Sequence, residues 1–139
     1  MRIIRTVIVG LLAALLSLTA LSASPVQADQ ALPKRTITEV APDEDQQVDF
    51  NAFKLNGVVT ELQADGVTAL PYSGKVQLQK KACKSCNWKT VKKVKTDATG
   101  KYKTKIFVPQ NGVWKWRVKV KASNGYGTTK GEVWTAAFE

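Results

Sequence analysis

The chain has 139 residues, 21 Lys and Arg against 11 Asp and Glu for a formal net charge of +10, no His, two Cys and four Trp. That length accommodates one small domain and excludes a large multidomain enzyme. Without His there is no Ser-His-Asp or Cys-His pair, and the acids crowd into a segment where no acid and nucleophile can be matched. The chain is read as a non-enzyme with no cofactor and no metal.

Arg2 and Arg5 precede an apolar run from Val7 to Ala23 that ends in Ser24-Pro25-Val26-Gln27-Ala28. This three-part pattern predicts a secretory signal peptide over residues 1–28, cleaved between Ala28 and Asp29. An uncleaved anchor helix is the competing reading, since about 17–25 apolar residues span a bilayer. Ser17, Thr19, Ser22, Ser24 and Pro25 interrupt the run and weigh against it. The expected location is secreted or extracellular with cell-wall association, and no membrane segment is expected after cleavage.

Charge is unevenly spread beyond the leader. Residues 29–65 carry Lys34, Arg35 and Lys54 against eight acids, whereas residues 75–121 carry fourteen Lys and Arg117 against Asp97 alone. The predicted organisation is an acidic N-terminal segment, partly loop, over 29–47, followed by a β-sandwich domain over 48–139. Such asymmetry speaks to partners rather than to fold.

Thr36 to Val40 is expected as a first edge strand and residues 42–47 as loop. Val48 to Asn56 and Val58 to Gln63 form either one strand broken at Gly57 or a hairpin turned at Asn56-Gly57. From Gly74 onward apolar and polar residues alternate, and turn residues recur about every ten positions, the pattern of an all-β sandwich or barrel. In Lys75 to Lys80, Val76 and Leu78 share one face while Lys75, Gln77 and Gln79 share the other. Trp88 to Thr96 has apolar residues three apart and is read as a bulged strand, because it is short, β-branched and flanked by turns. Asp97 and Gly100 mark a tight reversal. Lys101 to Ile106 then alternates with Tyr102, Thr104 and Ile106 inward, and Asn111-Gly112 supplies the next turn. Trp114, Trp116, Val118, Val120 and Ala122 face one way, opposite Lys115, Arg117, Lys119 and Lys121. A turn at Asn124 to Gly127 precedes a last strand over Glu132 to Phe138.

Gly74-x-Val76-x-Leu78-Gln79, Trp88-x-x-Val91, Thr96-Asp97-x-x-Gly100-x-Tyr102 and Trp116-Arg117 together resemble the immunoglobulin-like and fibronectin type III-like β-sandwich modules of secreted bacterial proteins. The resemblance covers residues 48–139 and implies a single immunoglobulin-like sandwich of about seven antiparallel strands. It implies little about function, because this architecture serves as spacer, adhesion module and carbohydrate binder. Cys83 and Cys86 depart from many such modules, which lack cysteine at that hairpin tip.

Cys83-Lys84-Ser85-Cys86 admits a redox pair, half a zinc site or a structural disulfide. Four zinc ligands cannot be assembled without His or a second Cys pair, and a redox pair wants a helix N-terminus. A turn holds its first and fourth Cα within about 7 Å, close to the roughly 4.4–6.8 Å of a disulfide. An exported chain also meets oxidising surroundings. The staple is the favoured reading.

Three cationic rows follow from the alternation: Lys101, Lys103 and Lys105; Lys115, Arg117, Lys119 and Lys121; and Lys89, Lys92, Lys93 and Lys95. A solvated face that discourages edge-to-edge aggregation accounts for part of this. Three rows with one acid among them exceed what solubility needs. The expected partner is therefore an anionic polymer or surface, such as a cell-wall polymer, an anionic lipid or extracellular nucleic acid bound without sequence preference. Lys predominates over Arg, which suits diffuse attraction over bidentate reading of bases. The candidate binding residues are Lys89, Lys93, Lys101, Lys103, Lys105, Lys115, Arg117, Lys119 and Lys121. Trp114 and Trp116 are assigned to the core, Trp88 and Trp134 are candidate aromatic contacts, and a sandwich of this size is expected to leave little room for a deep pocket. Asp43, Glu44, Asp45 and Asp49 lack the spacing of a calcium loop and read as a hydrated loop. The functional expectation is a secreted, non-catalytic binding or structural module with a lysine-rich surface. The alternative is a secreted effector, either an inhibitor of an extracellular enzyme or a cationic toxin, acting through loops 82–87 or 123–128.

Overall fold

Alternating side chains put an apolar row on several of the longer strands, and two sheets bury those rows against each other. The computed structural model describes residues 31–138. The predicted signal peptide and its cleavage point lie outside the described residues. The elements are β1 (Thr36–Val40), a 3-10 turn (Glu44–Gln46), β2 (Gln47–Asp49), β3 (Ala52–Leu62), β4 (Ala69–Pro71), β5 (Lys75–Lys81), β6 (Lys89–Lys95), β7 (Lys101–Phe107), β8 (Trp114–Val120), β9 (Thr129–Lys130) and β10 (Trp134–Ala136). The fold is all-β, with two antiparallel sheets in an arrangement compatible with a β-sandwich.

The strand count among the described residues is ten, not about seven. The difference arises because several sheet positions are each filled by two short strands in line. β1 and β2 both flank one side of β3, while β7 and β4 both flank the other. β9 and β10 likewise share the side of β8 away from β5. The first sheet is thus three positions wide around β3, and the second is four wide, ending at β6.

The alternative left open at Gly57 resolves as one continuous strand, with Gly57 inside β3. The residue opposite explains the glycine. Tyr102 pairs with Gly57 in register, and a Cβ at Gly57 would sit 2.5 Å from the Tyr102 hydroxyl oxygen. The tyrosine ring lies across the glycine, and its hydroxyl donates to Glu39 Oε1 at 2.6 Å on the far strand.

Leu55, Val59, Val76, Leu78, Tyr102, Ile106, Trp116, Val118 and Val120 form the core between the sheets. Each fully buried aliphatic side chain contributes about 1.5–3 kcal/mol relative to exposure. The row of Trp116, Val118 and Val120 inward and Lys115 outward follows the sequence pattern, with Arg117 and Lys119 half-buried. Gln77 and Gln79 do not follow it: both are buried. They lie on a central strand, in register with Lys93, Lys119 and Arg117 on either side, and long cationic side chains cover what lies beside them with their methylene stems.

Residues of the N-terminal segment enter the structure directly. β1 pairs with β3 along its whole length. Arg35, only 3% exposed, donates to Glu61 Oε1 at 2.7 Å, to the Lys121 carbonyl at 3.1 Å and to the carbonyl and hydroxyl of Ser123, both at 2.9 Å. Its guanidinium also lies 4.5 Å from the Tyr72 ring and 5.0 Å from the Tyr126 ring. A buried charge is tolerated when its donors are met in this way.

Candidate anion-binding cleft

The turn at 96–100 carries the chain from β6, the last strand of the second sheet, to β7 in the first sheet. Asp97 Oδ1 accepts from Thr99 N at 2.8 Å, Thr99 Oγ1 at 2.7 Å and Lys101 N at 3.0 Å. These bonds hold its carboxyl below the usual range. Gly100 takes φ +77°, and its carbonyl accepts from Val59 N at 2.9 Å. The turn therefore fixes β6 and β7 as neighbours along one side of the molecule.

Between these two strands the sheets gape. β6 is largely exposed, with only Val94 half-buried, and its pairing with β5 shifts register between Leu78 and Gln79. Alternation along β6 splits the third lysine row, and the irregularity adds Lys89 to the inner side. Lys93 and Lys95 stand with Gln77 and Lys75 on the outer face, whereas Lys92 and Lys89 stand with Leu78 and Lys80 on the inner side. The placement of all four on one solvent face is corrected accordingly. Lys92 consequently leans toward β7.

Two adjoining clefts result. One, of about 470 Å³, is lined by Lys54, Asn56, Lys92, Lys103, Thr104 and Lys105. Thr104 is buried, and its hydroxyl has no hydrogen-bond partner among the described residues. The other, of about 590 Å³, is mainly apolar, with Leu78, Val91, Phe107, Trp114 and Trp116 among its walls. Lys92 and Lys105 line both. No acidic residue lines either one. Both are open clefts at the sheet edges, not deep pockets. They form because β6 and β7 belong to different sheets and leave their facing edges unpaired.

The sequence-predicted cations fall into separate groups. Lys101, Lys103 and Lys105 project from the outer face of the first sheet beside Lys54 on β3. Lys115, Arg117 and Lys119 lie with Lys93 on the outer face of the second sheet, and Lys121 is exposed just past β8. Two rows thus belong to opposite faces. Arg117 is further committed to internal contacts: its Nε donates to Gln79 Oε1 at 2.9 Å, and its guanidinium lies 4.1 Å from the Trp88 ring. Burial lowers its pKa from the usual arginine range, yet an arginine stays cationic at any ordinary pH.

The aromatic assignments are also redistributed. Trp88 is half-buried under Arg117, and Trp134 packs against the core with Nε1 donating to Glu39 Oε2 at 3.3 Å. Trp116 is buried as expected, with Nε1 donating to the Phe107 carbonyl at 2.9 Å. Trp114 is only half-buried, and the two rings form a wall of the apolar cleft. Lys80 Nζ sits 3.8 Å from the Trp114 centroid. Sequence reasoning passed over Lys54, which sits between Phe53 and Leu55, and Lys80, which lies near the end of β5 outside the three rows. Cys83 and Cys86 form a disulfide with Cα atoms 5.0 Å apart.

Among the described residues no group of three or more His, Cys, Asp or Glu could hold a metal ion, and no helix is long and apolar enough to cross a membrane. No family model, curated protein or solved structure matches the chain.

Proposed function

We propose that the chain is an exported, non-catalytic, immunoglobulin-like β-sandwich module that binds anionic material of the cell envelope through the cleft between β6 and β7. One observation carries this reading: four lysines from three strands, Lys54, Lys92, Lys103 and Lys105, line a single concavity with no acid among them. Cationic side chains concentrated in a cleft focus the field on an anion more than the same charges on a flat face.

The test is calorimetric titration with a poly(glycerol phosphate) across a salt series. Affinity is expected to fall steeply as salt rises. Replacing Lys54, Lys92, Lys103 and Lys105 together by Gln is expected to weaken binding at least about a hundredfold, on about 1 kcal/mol per lysine at an anionic surface. The control that replaces Lys93, Lys115 and Lys119 should bind nearly as well as the parent. Unchanged binding by the cleft variant would overturn the reading. So would affinity indifferent to salt, which is the behaviour of an effector loop gripping a protein cleft.

A further inference from the structure

The lysine cleft does not end at its own rim. Lys92 and Lys105 are shared with the adjoining apolar cleft of about 590 Å³, a size within the roughly 300–1,000 Å³ of small-molecule sites. Val91 is 50% exposed and Phe107 42% exposed at this place, although both are large apolar residues. An apolar chamber beside a cationic rim is complementary to an amphiphile.

We infer that the apolar cleft receives the alkyl chain of a single-chain phosphate monoester whose headgroup sits at Lys92 and Lys105. This inference rests on the anion-binding reading above. Three observations select this ligand. The aromatic walls are not parallel: Trp114 and Trp116 meet at 72° and Phe107 and Trp116 at 54°. No slot exists to clamp a flat ring between two faces, whereas a flexible chain follows such a surface. The only side-chain amides on the walls are Asn51 and Gln110, too few to satisfy the hydroxyls of a sugar, which would lose water without replacement bonds. The headgroup end offers the ammonium groups of Lys92 and Lys105, which match the several acceptor oxygens and double charge of a phosphate.

The experiment compares inorganic phosphate, butyl phosphate, octyl phosphate and dodecyl phosphate below their aggregation concentrations, with dodecyl maltoside as the uncharged chain. Binding is read by calorimetry and by tryptophan fluorescence. Affinity is expected to rise by about fourfold per added methylene until the cleft is filled, with dodecyl maltoside far weaker than dodecyl phosphate. Val91→Asn, a change at an exposed position that leaves the charge unaltered, is expected to weaken the chain-length dependence and preserve binding of poly(glycerol phosphate). Equal affinity for butyl and dodecyl phosphate, with polymer binding intact, would overturn this inference and leave the anion site standing. Equal affinity for dodecyl phosphate and dodecyl maltoside would also overturn it. Failure of every anion, polymer included, would overturn both readings.

Discussion

Glu39 is an acid placed where the two sheets meet, facing three donors. Tyr102 donates its hydroxyl at 2.6 Å, Glu132 its backbone N–H at 2.9 Å and Trp134 its indole N–H at 3.3 Å. Burial outweighs these bonds and pushes the carboxyl above its ordinary value of 4.5. The same burial, with Glu39 beside it, pushes the Tyr102 phenol well above its usual range, so it stays protonated and donating. A carboxyl raised in the folded state binds its proton more tightly there than in the unfolded chain. Its contribution to stability is therefore complete below about pH 4.5 and is lost as pH rises through the raised value. Urea titrations of the parent and Glu39→Gln should show a parent-minus-variant stability that falls from pH 4 toward neutrality. A difference that stays flat, or rises, would contradict this account. Nothing local in the sequence points to Glu39, because its partners lie 63 and more residues away. Arg35 was hidden for the same reason, its bonds reaching Glu61, Lys121 and Ser123.

The strands themselves were far more legible. β7 and β8 follow period-two alternation closely enough that their inward rows could be named from residue order alone. β5 departs from it in its buried Gln77 and Gln79, and β6 in an irregular register. A single extra residue in an antiparallel strand reverses the faces beyond it, and in β6 this brings Lys89 to the inner side, where Lys92 already stands by plain alternation. The spacing of Trp88, Val91 and Val94 was its one visible trace. The turn joining β6 to β7 was readable as a reversal, but its role in setting the cleft was not. At Gly100 a Cβ would meet the Val59 carbonyl oxygen at 2.4 Å, on a residue whose φ is already +77°. Gly100→Ala should therefore cost about 1–3 kcal/mol, measured as a lowered urea midpoint, and should weaken anion binding by loosening β7 against β6. A midpoint equal to that of the parent would show that the turn is not tightly held. The Cys83–Cys86 staple closes so short a loop that it restrains little beyond its own tip.

At the scale of the whole molecule, a large positive charge has been divided among surfaces. The first lysine row points away from one sheet and the Arg117 row away from the other, so summed charge overstates what any one partner meets. Along the edges of β6 and β7 cations from both sheets converge. Charge asymmetry in the sequence showed that an anion partner was worth seeking; strand pairing decides where it would bind. The central claim is thus one of position. Its most direct test is a two-dimensional amide NMR titration of the folded chain with poly(glycerol phosphate) at low salt. The perturbed resonances should cluster at Lys54, Lys92 and Lys103 to Lys105 and fade together as salt is added. Perturbations centred on Lys93, Lys115 and Lys119, or spread evenly over both sheets, would contradict the account.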